Sequence, residues 1–341
     1  MLQLPGFGRV GKILGLHFNL GLAQAGANKW EKPAMPNATQ SQPGLTPREQ
    51  GLFRIKIIEP FGVEVDVDLR RALTPDEQAE LQHLRLTHHL LLFRNQSLSM
   101  EEQERVMGYL GPVLTDKMDR IDYISNTRKD GDLGEGVILF HSDLSFTPEP
   151  FQAISLYGVD VEQVPTTTSF ASGARAYRML PKELQDLLED CHTLHCLAVD
   201  NEKRVRDREL PPYNPRAVHQ AIWPHPLSGE PILYVCQQQI DKIFGFTEEE
   251  SEKLLETLFT YLYAPQNIYH HQWRNGDLLL WDNIALQHGR LQAPSGPRTL
   301  QRVTGAEKGL LLMYPYMQKN WPERVARYTK PRDQWVYTST G

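Results

Sequence analysis

His141 and Asp143, two positions apart in Phe140-His141-Ser142-Asp143, are the first residues along this chain that could hold a metal ion together. In a strand such residues project to one face, so the imidazole and the carboxylate can reach the same ion. Alone the pair says little, because a chain with 12 histidines yields one His-x-Asp by chance. A histidine beside a carboxylate is also more often a hydrogen bond than a ligand pair. A third donor changes the reading: the apolar run Leu278-Leu279-Leu280-Trp281-Asp282-Asn283 leads through Ile284-Ala285-Leu286-Gln287 to His288. Two imidazoles and one carboxylate leave three adjacent coordination positions open, as non-haem Fe(II) oxygenation of a substrate with a cosubstrate and O2 requires. Arg298 and Arg302 follow, and on a returning strand they can share one sidedness and face the same cavity. A partly buried guanidinium is costly unless it meets an anion, and the far carboxylate of 2-oxoglutarate is a bidentate partner for one.

The elements that must carry these residues are partly legible. Residues 1–50 contain a stretch, 25–50, rich in Pro, Gly, Asn and Gln, and are read as a flexible leader. Arg9 and Lys12 before a semi-apolar stretch ending in Ala23-Gln24-Ala25 faintly suggest a secretory signal. His17 and Asn19 interrupt it, so the leader reading is preferred and Asn37-Ala38-Thr39 is idle. Strands are expected at 53–58, 63–67, 90–93, 151–161, 268–273 and 278–281, the last two around Asn275-Gly276, with a further strand over 302–304. A hairpin over 222–235 should turn at Ser228-Gly229-Glu230. Thr74, Ser99 and Thr247 each begin a capping box, and Pro181 opens another helix. Leu254, Leu255, Leu258, Phe259 and Leu262 form the apolar face of the helix that Thr247 caps, and Glu248 to Glu250 favour its positive end rather than calcium.

Composition restricts the partners. A net charge of −6 over 341 residues gives no global reason to bind nucleic acid or an anionic membrane, and no apolar run is long enough to span a bilayer. Cys191, Cys196 and Cys236 are too few for a disulfide framework and read as reduced thiols of a cytoplasmic protein. Homo-oligomerisation is left open.

Taken in order, these segments resemble the taurine dioxygenase and aryloxyalkanoate dioxygenase (TauD/TfdA) family of Fe(II)/2-oxoglutarate oxygenases. The resemblance runs over roughly 53–312. It rests on Phe93-Arg94-Asn95-Gln96, His141-Ser142-Asp143-Leu144-Ser145-Phe146, Thr168-Ser169-Phe170-Ala171-Ser172-Gly173, Trp281-Asp282-Asn283 through His288, and the two arginines. It implies a mixed β-with-α fold, a double-stranded β-helix (jelly roll) with flanking helices, as a dioxygenase domain over 51–312 and a C-terminal extension over 313–341. By family position His141, Asp143 and His288 would bind Fe(II), and Thr168 and Arg298 would hold the far carboxylate of 2-oxoglutarate. Arg302 would meet the substrate's anionic group or the near side of the cosubstrate. Pro165-Thr166-Thr167 stands where many relatives have Gly-Gly-Asp, so Thr167 is a fallback for Thr168. The implied reaction consumes O2 and 2-oxoglutarate, releases succinate and CO2, and hydroxylates a small, anionic organic substrate. Asp143 disfavours the halogenase variant, which has a small residue there.

Rival outcomes are desaturation, epimerisation or cyclisation on the same metal, a non-catalytic jelly-roll binder, and a zinc hydrolase that would need no arginines. Substrate choice falls to 114–136 and 201–217, where Asp116, Lys117, Arg120, Tyr123 and Asn126 could line a pocket. The pairs His88-His89 and His270-His271 would point to opposite faces of strands. His192 and His195, at helical spacing beside Cys191 and Cys196, read as a polar patch rather than a zinc site.

Overall fold

The computed structural model describes residues 51–320 except 117, 118, 199 and 205. The expected leader with its signal-like and glycosylation-like sequences, Lys117, and residues 321–341 of the expected extension lie outside the described residues. In chain order the first elements are β1 (Arg54–Ile57), β2 (Val63–Asp66), α1 (Pro75–His88), β3 (Leu90–Phe93) and α2 (Met100–Gly108). Both helices start on the expected capping boxes. The Thr74 hydroxyl accepts from Glu77 N at 3.3 Å while Glu77 accepts from Thr74 N at 2.8 Å, and Ser99 and Glu102 repeat the exchange. α1 ends on His89 in the left-handed region, φ 62°. His88 and His89 therefore close a helix and do not alternate along a strand, a correction to the sequence reading. A short strand so soon after them left no room for the helix end to be seen.

Next come β4 (Tyr123–Ser125), β5 (Asp132–Leu133), β6 (Ile138–His141), β7 (Ala153–Asp160), β8 (Thr167–Ser172), α3 (Gly173–Met179) and α4 (Lys182–Leu188). β9 (His192–Cys196), β10 (Arg216–Gln220), β11 (Ile222–Pro224), β12 (Pro231–Leu233), β13 (Ile240–Ile243) and α5 (Glu248–Leu262) follow. The chain then closes with β14 (Ile268–Gln272), β15 (Leu278–Asp282), β16 (Leu286–Arg290), β17 (Thr299–Gly305) and α6 (Leu310–Met313). β11 and β12 form the expected hairpin, with Gly229 at φ 72° in its turn. β9 pairs with β10 and β13, so His192 and His195 belong to a strand and not to a helix as their spacing suggested.

Among the described residues, the larger sheet runs β1-β2-β3-β15-β7-β17-β4-β5 and a smaller one runs β14-β8-β16-β6. Apolar runs without alternation, Leu90–Phe93 and Leu278–Trp281, occupy the centre of the larger sheet because both of its faces are covered. Leu91, Phe93, Leu278 and Leu280 pack on one face with Leu81 and Leu84 of α1 and Val106 and Met107 of α2. Leu90, Leu92, Leu279 and Trp281 point the other way, to Phe170 of β8 and Leu286 of β16. The two sheets thus close a common core as a jelly roll, as expected. β14 and β15 flank Asn275-Gly276 but lie in different sheets, so the turn is a crossing between sheets and not a hairpin. Gly276 (φ 81°) brings the backbone against Gln96 O, which a Cβ would meet at 2.7 Å. No described helix is long and apolar enough to cross a membrane.

Behind the inter-sheet core lies a buried ion pair. Arg85 Nη1 donates to Asp282 Oδ2 at 3.0 Å, with side chains 1% and 0% exposed. Asp282 Oδ1 accepts from His225 Nε2 and from the amides of Ile284 and Ala285, each at 3.1 Å. This fixes the β15–β16 turn that leads to His288. Removing one member of a buried pair leaves an uncompensated charge, so Arg85→Met should lower the unfolding free energy by about 3 kcal/mol in urea titrations. A loss below about 1 kcal/mol would show that the pair is dispensable.

Candidate active site

His141 is the last residue of β6, where the ladder to β16 is irregular. His288 faces His141, but Arg290 faces Ile138, so β6 carries one residue more than its partner over this stretch. Within the bulge, Leu139 O accepts from His141 Nδ1 at 2.8 Å. A carbonyl can only accept, so the ring proton sits on Nδ1 and Nε2 presents its lone pair to the cavity.

Asp143 lies beyond the strand, in a turn where Leu144 is left-handed at φ 58°. Strand alternation therefore does not align it with His141, contrary to the sequence argument. Asn283 does that work. Its Oδ1 accepts from Asp143 N at 2.9 Å, and its Nδ2 donates to Asp143 O at 3.0 Å and Phe151 O at 2.8 Å. The side chain of a fully buried asparagine thus replaces a strand partner for the peptide of Asp143.

Asp143 Oδ1 stands 3.1 Å from His141 Nε2 and 3.8 Å from His288 Nε2. His141, Asp143 and His288 are the one group of three or more potential ligand residues, among those described, whose ligand atoms all lie within 4.8 Å of one another. An ion bonded at about 2 Å to adjacent octahedral positions brings its donors about 3 Å apart, so the three stand close to the spacing that would hold one divalent ion. His270, His271, His192 and His195 join no such group. His270 Nδ1 meets Ser169 Oγ at 2.8 Å, while His271 is buried against Asp277 and Tyr269, on opposite faces as expected. His195 meets Thr193 and Ser145.

Thr168, Arg298 and Arg302 line the same cavity as the three, with Arg290 and the apolar walls Ile124, Leu133, Ile138, Ile154 and Leu156. Thr167 does not. Trp273 Nε1 donates to Thr168 Oγ1 at 2.9 Å, which leaves the Thr168 hydroxyl proton free to point into the cavity. Arg298 is 3% exposed, and its Nε and Nη1 are buried with no hydrogen-bond partner. Burial, reinforced by the neighbouring Arg290 cation, pushes its pKa down to about 9. A guanidinium keeps its proton at neutral pH, so the depressed value expresses a charge that lacks an anion. Arg302 Nη2 donates to Asp143 Oδ2 at 2.5 Å, a contact the sequence did not anticipate. Of the described residues expected to line a substrate pocket, none is in this wall. Arg120 pairs with Asp122 and Glu104, Tyr123 lies under Arg128, and Asn126 accepts from Arg298 N at 2.9 Å.

Charge in the site is set by these neighbours. Burial alone would raise the Asp143 carboxyl, but Arg302, His141 and His288 outweigh it and hold it well below the usual range. Burial, with the His141 imidazole and the Arg302 cation beside it, pushes His288 down to about 3 against the pull of Asp143. Burial likewise lowers His195, His219 and His271 below 6.5. The unfolded chain therefore takes up protons near pH 6.5 that the folded one refuses, and stability falls as pH drops from about 6.5 toward 3. Each such histidine contributes up to about 1.4 kcal/mol per pH unit. Asp143, Asp277 and Asp282, all held low, add losses of the same sign below their unfolded values. For metal-free protein the urea midpoint should fall steadily between pH 7 and pH 4, followed by circular dichroism. A flat profile would contradict this account.

A jelly roll with two imidazoles, a carboxylate and the unpartnered guanidinium of Arg298 at one cavity has the architecture of a metal- and cosubstrate-dependent oxygenase. The family model described as taurine catabolism dioxygenase TauD, TfdA family matches residues 54–304, and the chain belongs to that family. It is 30% identical over 269 residues to the alpha-ketoglutarate-dependent 2,4-dichlorophenoxyacetate dioxygenase of Cupriavidus pinatubonensis, covering 71% of this chain and 93% of that one. It is 27% identical over 259 residues to the alpha-ketoglutarate-dependent sulfate ester dioxygenase of Pseudomonas putida, 71% and 84% of the two chains. The crystal structure of AAD-2 in complex with Mn(II) and N-oxalylglycine aligns with a TM-score of 0.65 at 27% identity, over 75% of this chain and 98% of that one. The protein is an oxidoreductase, an alpha-ketoglutarate-dependent dioxygenase that uses Fe(II), 2-oxoglutarate and O2.

Proposed function

We propose that this enzyme hydroxylates a small organic anion, of the aryloxyalkanoate or sulfate-ester kind, at iron held by His141, Asp143 and His288. The buried, partnerless guanidinium of Arg298 in the cavity of those three residues is the observation that carries the reading. A carboxylate-bearing cosubstrate is what such a charge lacks. The bound iron supplies the oxidising chemistry, in which 2-oxoglutarate is decarboxylated to succinate and CO2 and a substrate C–H bond is oxidised.

The chain's own residues bind and orient. Asp143 turns Oδ1 to the two imidazoles because Arg302 retains Oδ2 and Asn283 fixes the peptide. Arg298 takes the far carboxylate of 2-oxoglutarate as a fork, and Thr168 donates the hydroxyl proton that Trp273 leaves free. The other N–H groups of Arg302 serve the substrate's anionic head. Ile124, Leu133, Ile138, Ile154 and Leu156 exclude water around the reacting carbon. Three unpaired cysteines suit a reducing, cytoplasmic location, and the ligands are small molecules.

Two related substrate classes support the anion assignment, since relatives act on 2,4-dichlorophenoxyacetate and on sulfate esters. The test is anaerobic addition of Fe(II) and 2-oxoglutarate, followed by O2 with a panel of aryloxyacetates, alkyl sulfates, sulfonates and neutral isosteres. A weak visible charge-transfer band should appear on mixing, and succinate release should be stimulated by the anionic compounds alone. A product one oxygen heavier distinguishes hydroxylation from desaturation or cyclisation. Stimulation by the neutral isosteres, undiminished in Arg302→Ala, would refute the anion assignment.

A further inference from the structure

Residues 123–136 supply two apolar walls of the cavity, Ile124 and Leu133, although the segment between β4 and β6 is mostly loop. It is folded tightly on itself. A Cβ on Gly131 or Gly134 would meet the Ser125 carbonyl oxygen at 2.7 or 2.3 Å, so the loop lies directly on the end of β4. Arg128 stacks 3.7 Å over the Tyr123 ring and pairs with Asp130 at 2.7 Å. Leu133 and Gly136 both adopt positive φ, 49° and 76°. These contacts shape the loop, but they do not tie it to the opposite sheet.

One side chain does. Arg290 of β16 donates to three carbonyls of the segment, from Nη1 to Leu133 O at 2.7 Å, from Nη2 to Glu135 O at 2.5 Å and from Nε to Gly136 O at 2.8 Å. It is 4% exposed and lines the cavity two residues after His288. All three edges of its planar fork are thus used on one short stretch of backbone, a geometry that a lysine ammonium cannot reproduce. The start of the same loop is tied to the strand of the other arginine. Asn126 N donates to Arg298 O at 3.3 Å, and Asn126 Oδ1 accepts from Arg298 N at 2.9 Å. One end of the loop is therefore anchored on the backbone of Arg298 and the other on the side chain of Arg290, and both arginines line the cavity.

We propose that Arg290 is a positioning residue, a clasp that closes residues 132–136 as the wall of the cosubstrate cavity and so retains 2-oxoglutarate. Its charge needs no carboxylate because it is solvated by backbone carbonyls, which lie on the segment it holds. With the clasp released, Leu133 leaves the wall and the cavity opens beside Arg298. The proposal rests on the reading of this cavity as the cosubstrate site.

Amide hydrogen exchange on metal-free wild type, Arg290→Met, Arg290→Lys and Leu133→Ala tests the clasp without any turnover. Both Arg290 variants should exchange roughly a hundredfold faster across 131–136, while β3 and β15 keep their protection. Leu133→Ala should keep the loop protected. Stopped-flow mixing of Fe(II) enzyme with 2-oxoglutarate under argon should then show dissociation at least about tenfold faster in the Arg290 variants, with little change in association. Unchanged exchange at 131–136 would overturn the clasp. Faster exchange with unchanged dissociation would overturn retention. Should wild type bind no 2-oxoglutarate, the cosubstrate reading fails and retention with it, while the exchange data still decide the clasp.

Discussion

Asp143→Ala should remain folded, lose Fe(II) in equilibrium binding, and release succinate at less than about a thousandth of the parent rate. Its carboxylate is the centre of the site, with Oδ1 toward His141 and His288 and Oδ2 on Arg302. Removing it takes away the only negative donor and leaves the Arg302 cation facing the two imidazoles, where it repels a divalent ion. The turn itself should survive, because Asn283 grips the peptide of residue 143 and not its side chain. Metal content measured after anaerobic gel filtration, together with near-native circular dichroism, checks both halves of the expectation. A folded variant that kept its iron and its activity would show that the three-residue assignment is wrong.

Arg298→Met should make the metal-free protein more stable and the enzyme far worse. With Nε and Nη1 buried and unpartnered, the guanidinium destabilises the empty fold, and an isosteric apolar chain should raise the unfolding free energy by about 1–3 kcal/mol. The same change removes a desolvated, bidentate partner for a carboxylate, worth about 2–5 kcal/mol of binding. The KM for 2-oxoglutarate should therefore rise by at least about thirtyfold. Opposite signs are the diagnostic, since an arginine retained for structure would lose stability on replacement. In thermal scans, 2-oxoglutarate with a non-reacting metal should stabilise the parent and leave the variant almost unmoved.

How far the sequence could be read depended on where each signal was stored. Caps at Thr74, Ser99 and Thr247 are local chemistry, and the structure shows each of them forming the expected box. The runs at 90–93 and 278–281 announced buried strands by composition alone. The order of His141, Asp143, His288 and the arginines was legible because side-chain type carries it. The bulge in β6 and the left-handed Leu144 were not, because they are backbone decisions with no residue signature, and so the sequence argument placed Asp143 on a strand it does not occupy. Arg290 was overlooked for a related reason: its partners are carbonyls, which every residue has. His192 and His195 satisfy helical spacing equally well on a strand, and only their pairing with β10 and β13 distinguishes the two.

The order in which the strands join the sheets governs how the protein can be made. Leu278 of β15 lies between Phe93 and Tyr157, and β17 pairs along the length of β7, so the centre of the larger sheet waits for residues near the end of the domain. His288 follows on β16, Arg298 just before β17, and Arg302 within β17. During synthesis the earlier strands must wait on the ribosome, with their apolar faces open, for partners far along the chain. The ion-binding triad is incomplete until His288 has been made, and the catalytic cavity and the hydrophobic core should therefore form in one late step, leaving no interval in which an unfinished chain could load iron beside O2.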